Sequence, residues 1–110
     1  DFDLIYSSVR KTGRLLALDT GVVSGSIAGE IVARVCMECY DSLKQSPKRI
    51  ALPDFPTPTS RALVKGFYKR AEDIIDVVSE MIGKNLLSSH LIDRDSEQSD
   101  VPGDWFKGPF

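Results

Sequence analysis

The run Arg14-Leu-Leu-Ala-Leu-Asp19, followed by Gly21-Val-Val-Ser-Gly-Ser-Ile-Ala-Gly-Glu30 and then a long apolar-striped segment, constrains the fold more than any other part of this chain. The apolar residues Leu15, Leu16, Ala17 and Leu18 do not alternate with polar ones. A strand of that kind wants cover on both faces, the habit of parallel strands lying between helices. The glycines supply a turn, and Ser26 supplies an N-cap for the helix that follows. A second strand, Arg49-Ile-Ala-Leu-Pro53, completes a βαβ unit over residues 14 to 53. The chain is therefore predicted to be α/β.

The helices can be read from their stripes. Ile27, Ala28, Ile31, Val32, Val35, Cys36, Cys39 and Leu43 recur at helical spacing and form the face turned to the sheet. Glu30 falls in the first turn, where the helix dipole favours negative charge. Asp41, Lys44 and Gln45 lie near the end of this helix, and Ser46-Pro47 breaks it before the second strand. Upstream, Asp1 caps a short helix that buries Leu4, Ile5 and Val9, carries Arg10 and Lys11 in its last turn, and is stopped by Gly13 in the left-handed conformation.

Downstream of the second strand, the three prolines of Pro53-Asp-Phe-Pro-Thr-Pro58 fix φ and remove three donors, which predicts an ordered, extended loop. Thr59 or Ser60 caps a short helix running through Ala62, Leu63 and Phe67. A last helix buries Ala71, Ile74, Ile75, Val78, Met81 and Ile82, holds Glu72 and Asp73 in its first turn, and ends at Gly83-Lys84. Beyond Asn85 the pattern fades. The domain is predicted over residues 1–85, with an extended tail at 86–110 in which Trp105 and Phe106 become ordered by finding a groove.

A length of 110 residues with 42% hydrophobic content suffices for one core. Two strands are few for a parallel sheet, however. Together with an opening at Asp1 that lacks a Met, this predicts a domain cut from a longer polypeptide just after an earlier strand. Fourteen basic and sixteen acidic residues, with no long run of one sign, speak against a nucleic-acid surface. The apolar runs are too short to span a bilayer, and the cytoplasm is the default compartment.

No motif here carries chemistry. Cys36 and Cys39 form a Cys-x-x-Cys in the middle of the predicted helix, where a metal knuckle would want a loop, and read as small core residues. Gly21, Gly25 and Gly29 are four apart, which is neither the dinucleotide fingerprint nor a Walker loop. They read as a turn and a close helix-to-strand approach. His90, the single histidine, lies in the tail with no adjacent nucleophile. Asp19 sits at the carboxyl end of the first strand, where α/β sites form, but one carboxylate is a weak signal. No catalytic residue, cofactor site or metal ligand is assigned.

Four segments in order resemble a known family: Ser7-Ser-Val-Arg-Lys-Thr-Gly-Arg-Leu-Leu-Ala-Leu-Asp19, Gly29-Glu-Ile-Val-Ala-Arg34, Leu52-Pro-Asp-Phe-Pro-Thr-Pro58 and Ala71-Glu-Asp-Ile-Ile75. Over residues 1 to 85 the chain strongly resembles the C-terminal domain of the beta subunit of thiamine-diphosphate-dependent 2-oxo acid dehydrogenases, a domain shared by the wider transketolase superfamily. The resemblance implies a three-layer α/β/α domain with a mostly parallel sheet whose first strands precede the position of Asp1. It implies membership of an enzyme of pyruvate or branched-chain type that uses thiamine diphosphate and magnesium, neither of them bound by this chain. An organellar matrix stays open beside the cytoplasm, since the chain is expected to lack its N-terminal part.

The implied role is assembly. In the family, catalytic groups lie outside this domain, which builds subunit contacts with alpha-type and beta-type domains of the same enzyme, forms a homodimer, and helps dock the lipoyl acyltransferase core. By resemblance, Asp19, Gly21, Gly25, Asp54, Phe55, Pro56 and Pro58 line subunit contacts, and Asp73 matches an acidic docking position. Two departures stand out. Leu43 is followed by Lys44 where many relatives carry an acid, and the chain continues for more than twenty residues past the last helix. Another transketolase-like enzyme, such as a sugar-phosphate transferase or a ferredoxin-linked oxidoreductase, and a non-enzymatic binding module are the alternatives.

Overall fold

Helix α1 spans Phe2–Thr12 and is followed by strand β1 (Leu16–Val22), helix α2 (Ile27–Glu38), a 3₁₀ turn at Tyr40–Ser42, strand β2 (Lys48–Leu52), helix α3 (Arg61–Val64) and helix α4 (Ala71–Ile82). This architecture comes from a computed structural model, which describes residues 1–64 and 66–84. The two strands pair in parallel, with Leu16 opposite Lys48, Ala17 opposite Arg49 and Leu18 opposite Ile50. The βαβ unit read from the sequence is thus present, and the fold is α/β.

The core forms where α1, α2 and the 3₁₀ turn meet. Val9, Val35 and Cys39 are buried at its centre, and Ile5, Tyr6, Leu15, Ile31 and Leu43 pack around them. Small side chains at Ala17, Ala28 and Ala51, all buried, let α2 lie close on both strands. The caps behave as their residue types require. The Asp1 side chain accepts from the Leu4 N–H, Ser26 caps α2, and Gly13 and Gly83 end α1 and α4 with φ of 73° and 64°. At its far end, α4 is tied to the start of both strands. Arg14 Nε donates to the Met81 carbonyl, and Lys48 pairs with Glu80.

Several expectations are corrected. Strand β1 begins at Leu16 and runs past Asp19 to Val22, because the ladder resumes at Val22 opposite Leu52 after an irregularity. Strand β2 stops at Leu52, before Pro53 with its missing donor. Cover on the second face of β1 is incomplete among the described residues. Leu15 faces the α1–α2 core, whereas Leu18, pointing the other way, is 53% exposed. Helix α2 ends at Glu38, a turn early, since Asp41 and Ser42 favour tight turns over helix interiors. Cys39 is therefore a C-cap residue and not mid-helix, although it is buried as expected of a core residue, and no disulfide joins it to Cys36.

The stripe ends also deviate. Ile27 is exposed because side chains in a first turn lean toward the helix N-terminus, here past the strand ends. Leu4 is exposed along an open cavity of about 340 Å³ between α1 and β1. Helix α3 is a single turn, so Leu63 faces outward, while Val64 and Phe67, the latter beyond the helix, take up the burial. Ala71 and Ile82, at the two ends of α4, are exposed. His90, Trp105 and Phe106, and with them the tail, lie outside the described residues.

Candidate functional site

The carboxyl ends of the two parallel strands are where an α/β unit presents irregular backbone, and here the loops leaving them are bonded into one surface. Past Val22 the ladder continues for one more bond, from the Val23 N–H to the Leu52 carbonyl at 2.7 Å. Ser24 then meets Asp54 twice: its N–H donates to Oδ1 at 2.9 Å and its hydroxyl to Oδ2 at 2.6 Å. Arg49 reaches back along the same turn, its Nη1 donating to the Val23 carbonyl at 2.9 Å. A Cβ at Gly29 would lie 2.9 Å from that guanidinium nitrogen, so a side chain there would push the Arg49 head group aside.

Asp19 ties the other half of the turn. One carboxylate oxygen accepts from the Gly21 N–H at 2.8 Å and the other from the Ala28 N–H at 3.2 Å. Ser26 Oγ accepts from the Gly29 N–H. The N-terminal amides of α2 that could hold an anion are thus occupied by the chain's own oxygens. These bonds set the charge states. The Gly21 N–H, then that of Ala28, holds the Asp19 carboxyl below the ordinary carboxylate range. The Ser24 hydroxyl, then its N–H, with a smaller contribution from the Arg49 charge, does the same for Asp54.

A general acid or base working near neutral pH needs a carboxyl pushed upward, and both of these are pushed downward. The arrangement holds backbone in place and presents a rigid surface. Next to it, Phe55 in the proline loop packs at a tilt against Phe67, 5.3 Å between ring centroids, and Phe67 meets Tyr68 edge-on at 5.0 Å. Phe55 and Tyr68 stay exposed while Phe67 is buried.

The structure brings Asp19, Gly21, Gly25, Asp54 and Phe55 together, with Pro56 and Pro58 continuing the same loop. Asp73 belongs to another element, and its carboxylate accepts from the Arg70 N–H at 2.8 Å as a cap for α4. Ser24 and Arg49 were missed by sequence reasoning. A hydroxyl residue before a turn glycine, and a cation directly before the apolar stretch Ile50-Ala-Leu, were the available signals. The cavity between α1 and β1 offers no acid–base pair. Its polar side chains are Ser8 and Arg14, and Arg14 is engaged by Met81.

The sequence pattern of the family described as transketolase, C-terminal domain, matches residues 1–74. Over 88 residues the chain is 34% identical to the acetoin:2,6-dichlorophenolindophenol oxidoreductase subunit beta of Bacillus subtilis, covering 80% of this chain and 26% of that protein. Over 82 residues it is 33% identical to the pyruvate dehydrogenase E1 component subunit beta of Mycoplasma genitalium, covering 74% and 25%. The mitochondrial pyruvate dehydrogenase E1 component subunit beta of Chaetomium thermophilum is 32% identical over 82 residues, covering 74% and 22%. The chain spans about a quarter of the length of these relatives.

Proposed function

From the premise that this chain belongs to the transketolase C-terminal domain family, we propose that it serves as the C-terminal domain of the beta subunit of a thiamine-diphosphate-dependent 2-oxo acid dehydrogenase, of pyruvate or branched-chain type, and acts in assembly and docking. The observation that carries this reading is the bonded loop surface at the strand ends. Its two carboxylates hold backbone and stay ionised, which suits an interface and not proton transfer. Subunit contacts run over Asp19, Gly21, Gly25, Asp54, Phe55, Pro56 and Pro58. The contacting domains are alpha-type and beta-type domains of the same enzyme, a second beta chain among them. Asp73, beside its capping role, takes part in docking a lipoyl acyltransferase core.

Thiamine diphosphate does not fit the described residues. A diphosphate needs amide donors and positive charge, yet the α2 amides are taken by Asp19 and Ser26, and the negative charge of Asp19 repels a second anion. The cofactor is therefore assigned to other domains of the enzyme. The compartment is the cytoplasm or an organellar matrix; one of the relatives is named as mitochondrial.

A second reading is favoured by the similarity to the acetoin oxidoreductase subunit: the substrate is a hydroxyketone and not a 2-oxo acid. Assays of the full enzyme decide between them. Decarboxylation of pyruvate or branched-chain 2-oxo acids supports the first, and acetoin-dependent dye reduction supports the second. Calorimetry tests the non-catalytic assignment. Residues 1–110 alone are expected to take up no thiamine diphosphate, and micromolar binding to them would overturn it.

A further inference from the structure

The open cavity of about 340 Å³ between α1 and β1 lies at the start of β1, at the other end of that strand from the loop surface described above. We propose that it is a binding site for an aliphatic monocarboxylate, whose carboxylate rests on Arg14 and whose chain lies along α1. This site is independent of the assembly reading.

The lining has the polarity of such a molecule. Leu4, Ile5 and Val9 of α1 and Leu15 and Leu16 at the start of β1 make its apolar part, and Ser8 and Arg14 are its polar residues. Leu4 stands in the first turn of α1 and Arg14 just past the last, so the exposed apolar rim and the cation lie at opposite ends along the helix axis. Ser8 falls between them, one turn on from Leu4. From Leu4 to the end of α1 at Thr12 the helix rises about 12 Å, which accommodates octanoate in its extended form.

Arg14 supplies the charge. It is half-buried, and its Nε donates to the Met81 carbonyl at 3.0 Å and its Nη1 to the Thr12 carbonyl at 3.5 Å. These two carbonyls orient the guanidinium, while Nη2 has no partner among the described residues. Nor does a carboxylate come within 4.0 Å of it there, since the ion pairs among those residues are Arg34 with Glu30 and Lys48 with Glu80. A partly desolvated cation bonded only to neutral acceptors gains most from an anion. The other occupants fit less well. A cavity of this size takes a small molecule and not a helix from another protein. An amine would meet like charge at Arg14, an uncharged alcohol would leave that charge unpaired, and a diphosphate would need more donors than Ser8 and Arg14 offer.

The test uses the full-length protein that carries this domain, labelled at its methyl groups for NMR, with octanoate as probe and octanol and octylammonium as controls. Octanoate should bind saturably and shift the methyl signals of Leu4, Ile5 and Leu15. Octylammonium should not bind, and octanol should bind about tenfold more weakly or worse, the worth of one charge-assisted hydrogen bond. Arg14→Gln should weaken octanoate binding by the same factor. Because Arg14 also ties α4 through Met81, Ser8→Glu serves as a second variant: Ser8 is exposed, and a negative charge there should abolish octanoate binding while leaving the circular dichroism spectrum unchanged. Absence of saturable octanoate binding overturns the proposal, and so does equal binding of octanol. Octanoate affinity unchanged in Ser8→Glu, or in a folded Arg14→Gln, overturns it, as do methyl shifts confined to residues outside α1 and β1.

Discussion

Replacing Gly13 by alanine should destabilise the domain more than the same change at Gly83, and the difference isolates the packing of α1 against the 3₁₀ turn. Both residues end helices with positive φ, 73° and 64°. Alanine in that region costs about 1 kcal/mol, and the gain from a less flexible unfolded chain, of comparable size, is common to both sites. Only Gly13 is crowded. A Cβ there would lie 2.7 Å from Lys44 Cγ and 3.0 Å from the Ser42 carbonyl oxygen, whereas at Gly83 no described atom comes within 4 Å. The Lys44 side chain can swing aside. The Ser42 carbonyl is backbone, and shifting it strains the hydrogen bond from the Lys44 N–H to the Gly13 carbonyl at 2.9 Å. Losing that bond removes about 1 kcal/mol, and displacing the turn adds about as much again from packing against Val9 and Cys39. Gly13→Ala should therefore exceed Gly83→Ala by about 1–2 kcal/mol in urea unfolding followed by circular dichroism. Equal losses would show that the contact with the turn contributes nothing.

Two further outcomes follow from burial and charge. Val35→Ala, at a fully buried site, should lower unfolding free energy by about 2–3 kcal/mol, while Ile31→Ala, at a half-buried one, should lower it by about 1–2 kcal/mol, in the same urea assay. Asp19 and Asp54 both have folded-state values lowered from 3.8. Their stabilisation is therefore present above that value and is lost as pH falls through the lower folded-state values. Carbon-13 titration of both carboxyls should give midpoints under 3.8, and midpoints at or above it would contradict the hydrogen bonding described.

Local chemistry explains which features were legible in the sequence. Asp1, Gly13, Ser26 and Gly83 act at helix ends through their own side chain or its absence, so each could be read from a few neighbouring residues. The core positions Val9, Val35 and Cys39 follow from helical spacing. Leu18 and Leu63 could not be read correctly, since their burial depends on which elements lie opposite, and apolar character alone does not say so. The site was half legible. Asp19 is visible at the carboxyl end of a strand and Asp54 is assigned through the family resemblance, but the Ser24–Asp54 bond spans thirty residues and depends on the parallel register that sets the two loops side by side. Asp73 has a visible local role at the start of α4, where it accepts from the Arg70 N–H, and the docking role proposed for it comes from the family resemblance alone.

The central claim, that the loops at the strand ends form a subunit interface, is tested most directly by electron cryomicroscopy of the assembled enzyme. The account predicts that Asp54, Phe55 and Pro56 lie within contact distance, about 4 Å, of a neighbouring subunit, with the Ser24–Asp54 bond intact. An assembled enzyme in which these residues face solvent and subunit contacts run over other surfaces would contradict it.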